Sequence, residues 1–366
     1  MKVLEVRNVH EALPRALRLL RQEAVYRESR NGPVYVTPYP VTTVYNRPSE
    51  RVMLWPQRDA NPFFHLYESL WMLAGRNDVA SLIKYAKQMA QYSDDGKVLH
   101  GAYGKRWRDW FSLGSSRDQL QVIAERLTKD PNDRRCVLQM WDSEKDLGKP
   151  FKDVPCNTIT TFQRNLDGSL DLTIFCRSND IIWGAYGANA VHFSMLLEYM
   201  ANWIECPVGR MYQVSTNWHA YADILKGVIS LADSMEYSGF IHQPYQEGSK
   251  VDVTDSSTIG KKYIETPRLR VYPIQGTIKE VDRNIELILK AADADGMDEP
   301  THFRYRYAFN WYVMLQAHQM YRQRLVNGGH YRKALECLET GDQDCDWIVA
   351  GQEWMSRRLS AHLAKA

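Results

Sequence analysis

Several features that would assign a chain to a specialised class are missing from this sequence. Its six cysteines form no CxxC pair and follow no zinc-finger spacing, and no signal peptide precedes them. No run of about 18 uncharged apolar residues is present, so we expect no membrane span. These absences favour free thiols in a reducing, cytoplasmic environment and give no indication of a bound metal.

An excess of charge of one sign is also lacking. Lysine and arginine total 46 against 44 aspartates and glutamates, a formal net charge of +2. That balance argues against binding to nucleic acid or membranes through overall charge, so any anion site must come from local arginines. With 366 residues, of which 44% are hydrophobic, the chain can bury a large core.

Apolar periodicity predicts a mixture of helices and strands. Helices are predicted at 10–27, from Asn61-Pro62 through Leu73, at Leu120–Leu127, at 189–204 and at 219–234. Strands are predicted at Arg135–Trp141, Ser169–Cys176, 210–217 and Arg268–Tyr272. In the second of these, Leu170, Leu172, Ile174 and Cys176 alternate onto one face.

The last quarter of the chain carries helical patterns only. They lie near 278–293, 302–325, 329–339 and 346–364, after a polar loop predicted at Gln246–Lys262. The expected fold class is therefore α+β, with one mixed β-sheet backed by helices. We divide the chain into a catalytic domain, 1–275, and a helical C-terminal extension, 276–366.

A cysteine and an arginine stand at the most informative positions. Cys156 follows Pro155, and Arg177 follows the strand that ends at Cys176. A guanidinium close to a thiol lowers its pKa by stabilising the thiolate, which is the nucleophilic form. The pair therefore predicts a nucleophile, although a lone cysteine is otherwise a small buried hydrophobe.

Ordered motifs around this pair resemble the thymidylate synthase family of pyrimidine-nucleotide C5-modifying enzymes. They span roughly residues 25–275 and are Arg30-Asn31-Gly32, Tyr67-Glu68-Ser69-Leu70-Trp71, Tyr103-Gly104-Lys105, Arg134-Arg135, Pro155-Cys156, Arg177-Ser178-Asn179-Asp180, Asn189 and His219-Ala220-Tyr221. The resemblance implies a thymidylate synthase-like fold. It also implies addition of Cys156 to C6 of dUMP, followed by attack of C5 on the one-carbon unit of 5,10-methylenetetrahydrofolate, with no metal.

The resemblance assigns the phosphate of dUMP to arginines. Arg30 and Arg177 supply planar donors, and Ser178 adds a hydroxyl. Arg134 and Arg135 come from the neighbouring subunit in this family, which implies a homodimer with shared sites. In isolation, such an arginine pair is equally typical of a solvated turn before a strand.

Other roles follow from the same resemblance. Glu68 is expected to move protons at O4 of the pyrimidine ring and through ordered water. Its buried surroundings should raise its pKa. The alternative is a glutamate on the helix surface. Tyr103 is expected near the C5 proton, and Asp180 near the pterin as a catalytic and folate-binding group. Trp71 is also expected beside the folate.

The base and the sugar have their own expected partners. Asn189 reads the pyrimidine edge, favouring uracil over cytosine, unless it serves only as a helix N-cap. The cytosine-using relatives carry aspartate at this position. His219 and Tyr221 are expected at the deoxyribose 3′-hydroxyl, with a structural histidine as the alternative.

Two departures from the family pattern bear on the product. Asn157, which we place among the catalytic residues, follows the nucleophile where synthases usually have histidine. The chain also continues through 276–366, whereas synthases end in a short apolar tail that closes the site over folate. After tetrahydrofolate leaves, a methylene group remains on C5 and reacts with either hydride or water. A more hydrated site favours the reaction with water, which gives a hydroxymethyl group.

We therefore expect a deoxyuridylate hydroxymethylase of the kind found in phages that replace thymine, which would act in the host cytoplasm. Thymidylate synthase and then cytidylate hydroxymethylase are the alternatives. A non-enzymatic alternative is a nucleotide or single-strand nucleic-acid binding module, because basic and aromatic residues interleave in His302–Tyr307. Helical spacing of Trp311, Met314, Leu315 and His318 favours a packed helix there instead.

Overall fold

The computed structural model describes most of the chain. The described residues are 1–111, 118–233, 244–245, 250–252, 263–265, 269–294, 302–323, 325 and 328–365. Their strands, β1 to β12, are Lys2–Val6, Val25–Arg27, Val34–Val36, Val41–Tyr45, Val137–Gln139, Asn157–Arg164, Leu170–Cys176, Asn179–Asp180, Val208–Ser215, Trp218–Tyr221, Lys250–Asp252 and Tyr263–Glu265. Their helices, α1 to α12, are Val9–Glu23, Pro62–Leu73, Val79–Leu82, Tyr103–Lys105, Gln119–Lys129, Ser143–Asp146, Asn189–Trp203, Ala222–Val228, Ile278–Asp293, Arg306–Arg322, Gly329–Leu338 and Asp346–Leu363.

The largest sheet is mixed and has six strands in the order β1-β4-β9-β7-β6-β5. β7 lies parallel to β9 and antiparallel to β6. The predicted alternation in β7 is confirmed, because Leu170, Leu172, Ile174 and Cys176 are all buried. The expected α+β class is confirmed as well.

The sequence analysis predicts one mixed sheet, but the strands of the described residues form three. β2, β3, β10 and β8 form a second, four-stranded sheet, and β11 pairs with β12. In the second sheet β10 lies parallel to β8, with His219 opposite Asp180. Two residues that are 39 positions apart in the chain thereby become neighbours.

Helix α2 lies at the centre of the molecule. Asn61 caps it by accepting a hydrogen bond from the Phe64 N–H, and Pro62 occupies its first turn, as the sequence predicts. Eleven of its twelve residues are buried, so other elements cover it on all sides. One flank meets α7, and another meets α9, α10 and α12.

The four helices predicted for the C-terminal extension are present as α9 to α12. Phe63 of α2 packs against His318 and Trp354, with ring centroids 5.4 Å and 5.5 Å apart. Tyr67 donates a hydrogen bond of 2.6 Å to Asp293. One continuous cluster of buried hydrophobic residues therefore includes residues from both 1–275 and the extension.

Several predicted boundaries were wrong. Helix α1 ends at Glu23 because Val25–Arg27 pairs with β3. The segment predicted as a helix at 219–234 begins as strand β10, which pairs on both sides before α8 starts at Ala222.

Two predictions near the start of the extension also need correction. The loop predicted at Gln246–Lys262 contains β11, and all of its other residues lie outside the described ones. The strand predicted at Arg268–Tyr272 is reduced to a single bridge between Arg270 and Cys345, and residue 268 lies outside the described part. Among the described residues, no helix is long and apolar enough to cross a membrane.

Candidate active site

Pairing of β6 with β7 brings Cys156 and Arg177 together. Asn157 at the start of β6 lies opposite Cys176 at the end of β7. Cys156 and Arg177, which stand next to this pair in the chain, are therefore adjacent. The Arg177 N–H donates to the Cys156 carbonyl at 2.9 Å, and its Nη2 lies 3.9 Å from the Cys156 Sγ. Further bonds to the carbonyls of Val154 and Pro155 hold the guanidinium in place.

The thiol of Cys156 is nevertheless not made acidic. Burial raises its pKa above the ordinary value, and Asp153 acts in the same direction. Arg177 and Arg30 oppose this rise without overcoming it. The prediction that arginine renders the thiol anionic therefore identifies the correct neighbour but underestimates the effect of burial.

Tyr103 supports the turn that carries Cys156. Its hydroxyl oxygen accepts hydrogen bonds from the backbone N–H groups of Cys156 and Asn157, each at 3.2 Å. Burial raises the pKa of Tyr103 well above its usual value, so the phenol stays protonated. Because the oxygen acts as acceptor in both bonds, its own proton remains available to another acceptor.

A chain of amide side chains runs behind the thiol. Asn157 donates to the Asn189 Oδ1 at 3.2 Å, Asn189 donates to the Asn179 Oδ1 at 3.1 Å, and Asn179 donates to the Ser215 Oγ at 2.9 Å. A Cβ at Gly184 would come within 2.7 Å of the Asn179 Oδ1, so glycine is needed there.

These hydrogen bonds fix the orientation of the Asn189 amide, because its oxygen faces the Asn157 donor and its nitrogen faces the Asn179 oxygen. Asn189 does not act as the N-cap of α7, since Ala188 occupies that position and no side chain caps it. Asn157 Oδ1 is buried without a hydrogen-bond partner among the described residues. Sequence reasoning missed Asn179, whose role depends on β8 lying beside the start of α7.

Glu68 lies inside the protein rather than on a helix surface, since only 6% of it is exposed. His192 of α7 places Nε2 at 2.9 Å from the Glu68 Oε2, and within the described residues neither atom has a hydrogen bond of good geometry. His192 was also missed, although its position three residues after Asn189 puts both on one face of a helix.

Asp180, His219 and Tyr221 form a second group. The Asp180 Oδ1 accepts hydrogen bonds from the N–H groups of Ile182 and Trp183 at 2.9 Å and 2.6 Å. Its Oδ2 is buried without a partner among the described residues, and burial raises the pKa of this carboxyl. The rings of His219 and Tyr221 meet edge to face at 5.5 Å.

A cleft of about 690 Å³ opens beside these groups, which we call the Arg30 cleft. Its walls include Arg30, Tyr92, Phe151, Trp183 and Tyr221. Trp183 is half exposed there and packs under the Arg58 guanidinium at 4.7 Å. No periodic pattern points to Trp183, although it lies three residues after Asp180.

The remaining predicted residues are placed differently. Arg134 and Arg135 are exposed at the turn before β5, and Arg135 makes a two-pronged ion pair with Asp133. Within the described chain neither arginine is hydrogen-bonded to Cys156 or Arg177. Ser178 is half-buried, and its carbonyl accepts from the Cys176 Sγ at 3.0 Å.

Trp71 is not brought to the cleft. It is 1% exposed, and its indole N–H donates to Asp78 at 3.1 Å within the core. The prediction that it contacts folate is therefore not supported, because a residue on the apolar flank of α2 is needed for packing. Among the described residues, no cluster of histidine, cysteine, aspartate or glutamate could hold a metal ion.

The segment predicted either as a packed helix or as a single-strand binding platform is a packed helix. In α10, Tyr307, Trp311, Met314 and Leu315 are buried. Arg304 pairs with Glu280, and Arg306 with Asp342. Of the aromatic residues that would stack on bases, Tyr307 is buried, and Phe303 and Tyr305 are half-buried against other rings.

Comparisons with known proteins show what this chain resembles. Residues 17–242 match the thymidylate synthase family. Over 365 residues, 100% of this chain and 97% of the relative, the sequence is 45% identical to a deoxyuridylate hydroxymethyltransferase of Pseudomonas phage M6. A second deoxyuridylate hydroxymethyltransferase, from Bacillus phage SP01, is 39% identical over 191 residues, half of each chain.

One solved structure shows the likeness in fold. The crystal structure of thymidylate synthase from T4 phage superposes with a TM-score of 0.50 at 19% identity, covering 60% of this chain and 79% of the other. The family match covers more than half of the sequence and includes Glu68, Cys156, Arg177 and Asn189. The chain belongs to the thymidylate synthase family.

Proposed function

We propose that this protein transfers a hydroxymethyl group to C5 of dUMP, with methylenetetrahydrofolate as the one-carbon donor and Cys156 as the nucleophile. The observation that carries the proposal is the full-length likeness to a protein named deoxyuridylate hydroxymethyltransferase. That likeness continues through 276–366, beyond the part that matches the family. The arrangement of Cys156, Arg177 and Asn189 supports the same chemistry.

The proposed reaction begins with the thiol. Cys156 loses its proton, and a bond forms between its sulfur and C6, which makes C5 nucleophilic. Because burial keeps the thiol protonated, we infer that this proton leaves only after the nucleotide binds. C5 then attacks the one-carbon unit, loses its proton and expels tetrahydrofolate. Water adds to the resulting methylene, and the C6–S bond breaks to release 5-hydroxymethyl-dUMP.

The described side chains suit the two substrates. Arg177 and Arg30 lie close enough to act on the thiol electrostatically, and their charge suits the nucleotide phosphate. The unpartnered Asp180 Oδ2 suits N–H donors of a pterin ring. Trp183 offers an exposed aromatic face beside it.

Arg134 and Arg135 are both exposed, and Arg135 is paired with Asp133 of its own chain. We propose a homodimer in which they complete the phosphate site of the partner. Their exposure at a turn supports this arrangement. Mixing an Arg134→Ala chain with a Cys156→Ala chain should then restore activity at one site per hybrid dimer.

The decisive experiment is the mass of the nucleotide product after incubation with dUMP and methylenetetrahydrofolate, with dihydrofolate followed by absorbance. We expect addition of CH2O without dihydrofolate. Addition of CH2 with stoichiometric dihydrofolate would instead make the protein a thymidylate synthase. Cys156→Ser should abolish both turnover and the covalent adduct with 5-fluoro-dUMP, and retention of near-full turnover would disprove the covalent mechanism.

A further inference from the structure

A second cavity of about 690 Å³ lies where the C-terminal extension meets the catalytic part. We call it the extension cavity. One wall comes from Asn61 and the segment 83–87, and the other from α10, α11 and α12. It shares no lining residue with the Arg30 cleft.

The walls of the extension cavity contain buried polar atoms that lack hydrogen-bond partners within the described residues. These atoms are the Tyr85 Oη, the His318 Nδ1, the Arg322 Nε and the Trp354 Nε1. Tyr85, His318 and Trp354 are only 7%, 2% and 4% exposed. An unmade hydrogen bond is unfavourable for each buried group, so four in one cavity suggest a ligand that satisfies them.

The charge of the cavity is positive. Lys84, Lys87, Arg322 and Arg358 line it, and its described lining residues include no aspartate or glutamate. Arg358 is partly neutralised by an ion pair with Asp59 just outside the wall. A ligand with several negative charges would therefore be attracted.

The remaining surface is aromatic. Tyr85 stacks on His318 with ring centroids 4.2 Å apart, and Tyr321, Tyr331 and Trp354 complete the wall. Burial and the nearby Arg322 lower the pKa of His318 to about 3, so its imidazole is neutral. It can therefore donate or accept a hydrogen bond rather than pair with an anion.

We propose that the extension cavity binds a nucleoside triphosphate, at a site separate from the one that holds dUMP. The base would contact the aromatic wall and the four unpartnered polar atoms, and the phosphates would face the cationic side chains. An inorganic anion would leave the aromatic wall unused. A folate carries fewer negative charges than a nucleoside triphosphate. Arg358 is already paired with Asp59 and the Lys84 Nζ donates to the Asp293 carbonyl, so Lys87 and Arg322 are the cations on which the test depends.

The test is isothermal titration of the full-length chain with ATP in the presence of saturating dUMP. We expect a binding event that Lys87→Glu and Arg322→Gln each weaken about 10-fold or more, since each loses a charged contact. Lys279→Glu is the matched control, because Lys279 is exposed in the first turn of α9, away from the cavity lining, and it should leave binding unchanged. Lys87 is also exposed, so its replacement should not disturb folding, which thermal unfolding of each variant checks.

Four outcomes would overturn the proposal. They are the absence of ATP binding, displacement of ATP by dUMP, displacement by tetrahydrofolate, and tripolyphosphate binding as tight as that of ATP. If Lys87→Glu and Arg322→Gln left ATP binding unchanged, ATP would bind elsewhere and the proposal would likewise be wrong. Calorimetry requires no turnover, so the result does not depend on the proposed reaction.

Discussion

Burial and charge act in opposite directions on the Cys156 thiol. The guanidinium of Arg177, with its Nη2 3.9 Å from Sγ, stabilises the thiolate, but removal of water from the thiol destabilises it more. The reactive form is therefore scarce near neutral pH and depends on the arginine. This balance can be measured without the substrates.

Arg177→Ala should make Cys156 less reactive, because the charge that opposes burial is lost. We expect the rate of alkylation by iodoacetamide at about pH 8 to fall several-fold and its pH profile to move to higher pH. Peptide mass spectrometry would follow Cys156 apart from the other cysteines. Arg210→Ala is the control, since Arg210 is exposed and remote in sequence from the thiol. An unchanged profile in Arg177→Ala would mean that the arginine only positions the turn.

Asn179→Ala should loosen the reading of the base. The Asn179 Oδ1 accepts from Asn189 and so holds the orientation of that amide. We expect kcat/KM for dUMP to fall about 10-fold and the preference for dUMP over dCMP to narrow, in line with the loss of one buried hydrogen bond. Ser215→Ala, which alters only the far end of the amide chain, should have a smaller effect. Equal losses with both nucleotides would indicate a structural defect instead.

At the scale of elements, a buried ion pair holds together segments that precede Cys156 in the chain. Arg106, in a π-helical turn after α4, makes two hydrogen bonds to Asp146 of α6, and both side chains are fully buried. The same guanidinium donates to the carbonyls of Met140 and His100. One arginine therefore joins the segment 100–106 to the segment 140–146.

Asp146→Asn should be strongly destabilising, because it leaves the Arg106 charge buried without its counter-ion. We expect a loss of about 3–5 kcal/mol in the free energy of unfolding, measured with urea. Asp109→Asn is the matched control. It removes an exposed partner of Lys105 and should cost at most about 1 kcal/mol. Similar losses in the two variants would contradict this account.

At the scale of the whole molecule, the extension completes the core. Phe63 and Tyr67 of α2 are fully buried, with partners that include Trp354 and Asp293. Asp59 just before α2 also pairs with Arg357 and Arg358 of α12. The division at residue 275 therefore separates a mixed pattern of strands and helices from a purely helical pattern in the sequence. In the structure, the buried hydrophobic residues on both sides of that division form one cluster.

A chain truncated after residue 275 should consequently fail to remain folded. Removal of α9 to α12 would expose apolar side chains on one flank of α2, which favours aggregation. We expect insoluble protein, or a cooperative transition lowered by more than 10 °C, in a thermal unfolding assay. Removal of only the last few residues, from Ala364 onward, serves as the control. A soluble, active 1–275 fragment would show that the extension is an independent domain.

The extension also makes stability depend on pH. Asp346 at the start of α12 is buried and accepts a hydrogen bond from Tyr245 at 2.9 Å, and burial raises its pKa to about 7. The folded state thus prefers the protonated acid, so this stabilisation is full below the unfolded pKa of about 4 and is lost as pH rises through about 7.

Asp346→Asn should remove this dependence, because the amide does not ionise. Between about pH 5 and pH 8, the stability of the variant should rise relative to that of the unmodified chain by roughly 2 kcal/mol, as measured by urea unfolding. Asp94→Asn, at an exposed position, should show no such trend. A constant difference across this range would mean that Asp346 keeps one protonation state.

The sequence by itself determined the elements whose signals are local. The Asn61-Pro62 start of α2, the alternation along β7 and the four helices of the extension were predictable, because capping and periodicity act over a few residues. The ordered motifs also predicted the family and the proximity of Cys156 to Arg177, because both residues flank the ends of adjoining strands.

Tertiary structure alone decided the environment of those residues. It placed His192 beside Glu68 and Asn179 between Asn189 and Ser215, and it buried Trp71 instead of exposing it to the cleft. These contacts join α2, α7, β8 and β9, whose packing leaves no periodic trace in the sequence. Burial likewise depends on every element that covers a site, which is why the raised pKa of Cys156 opposed the sequence-based expectation.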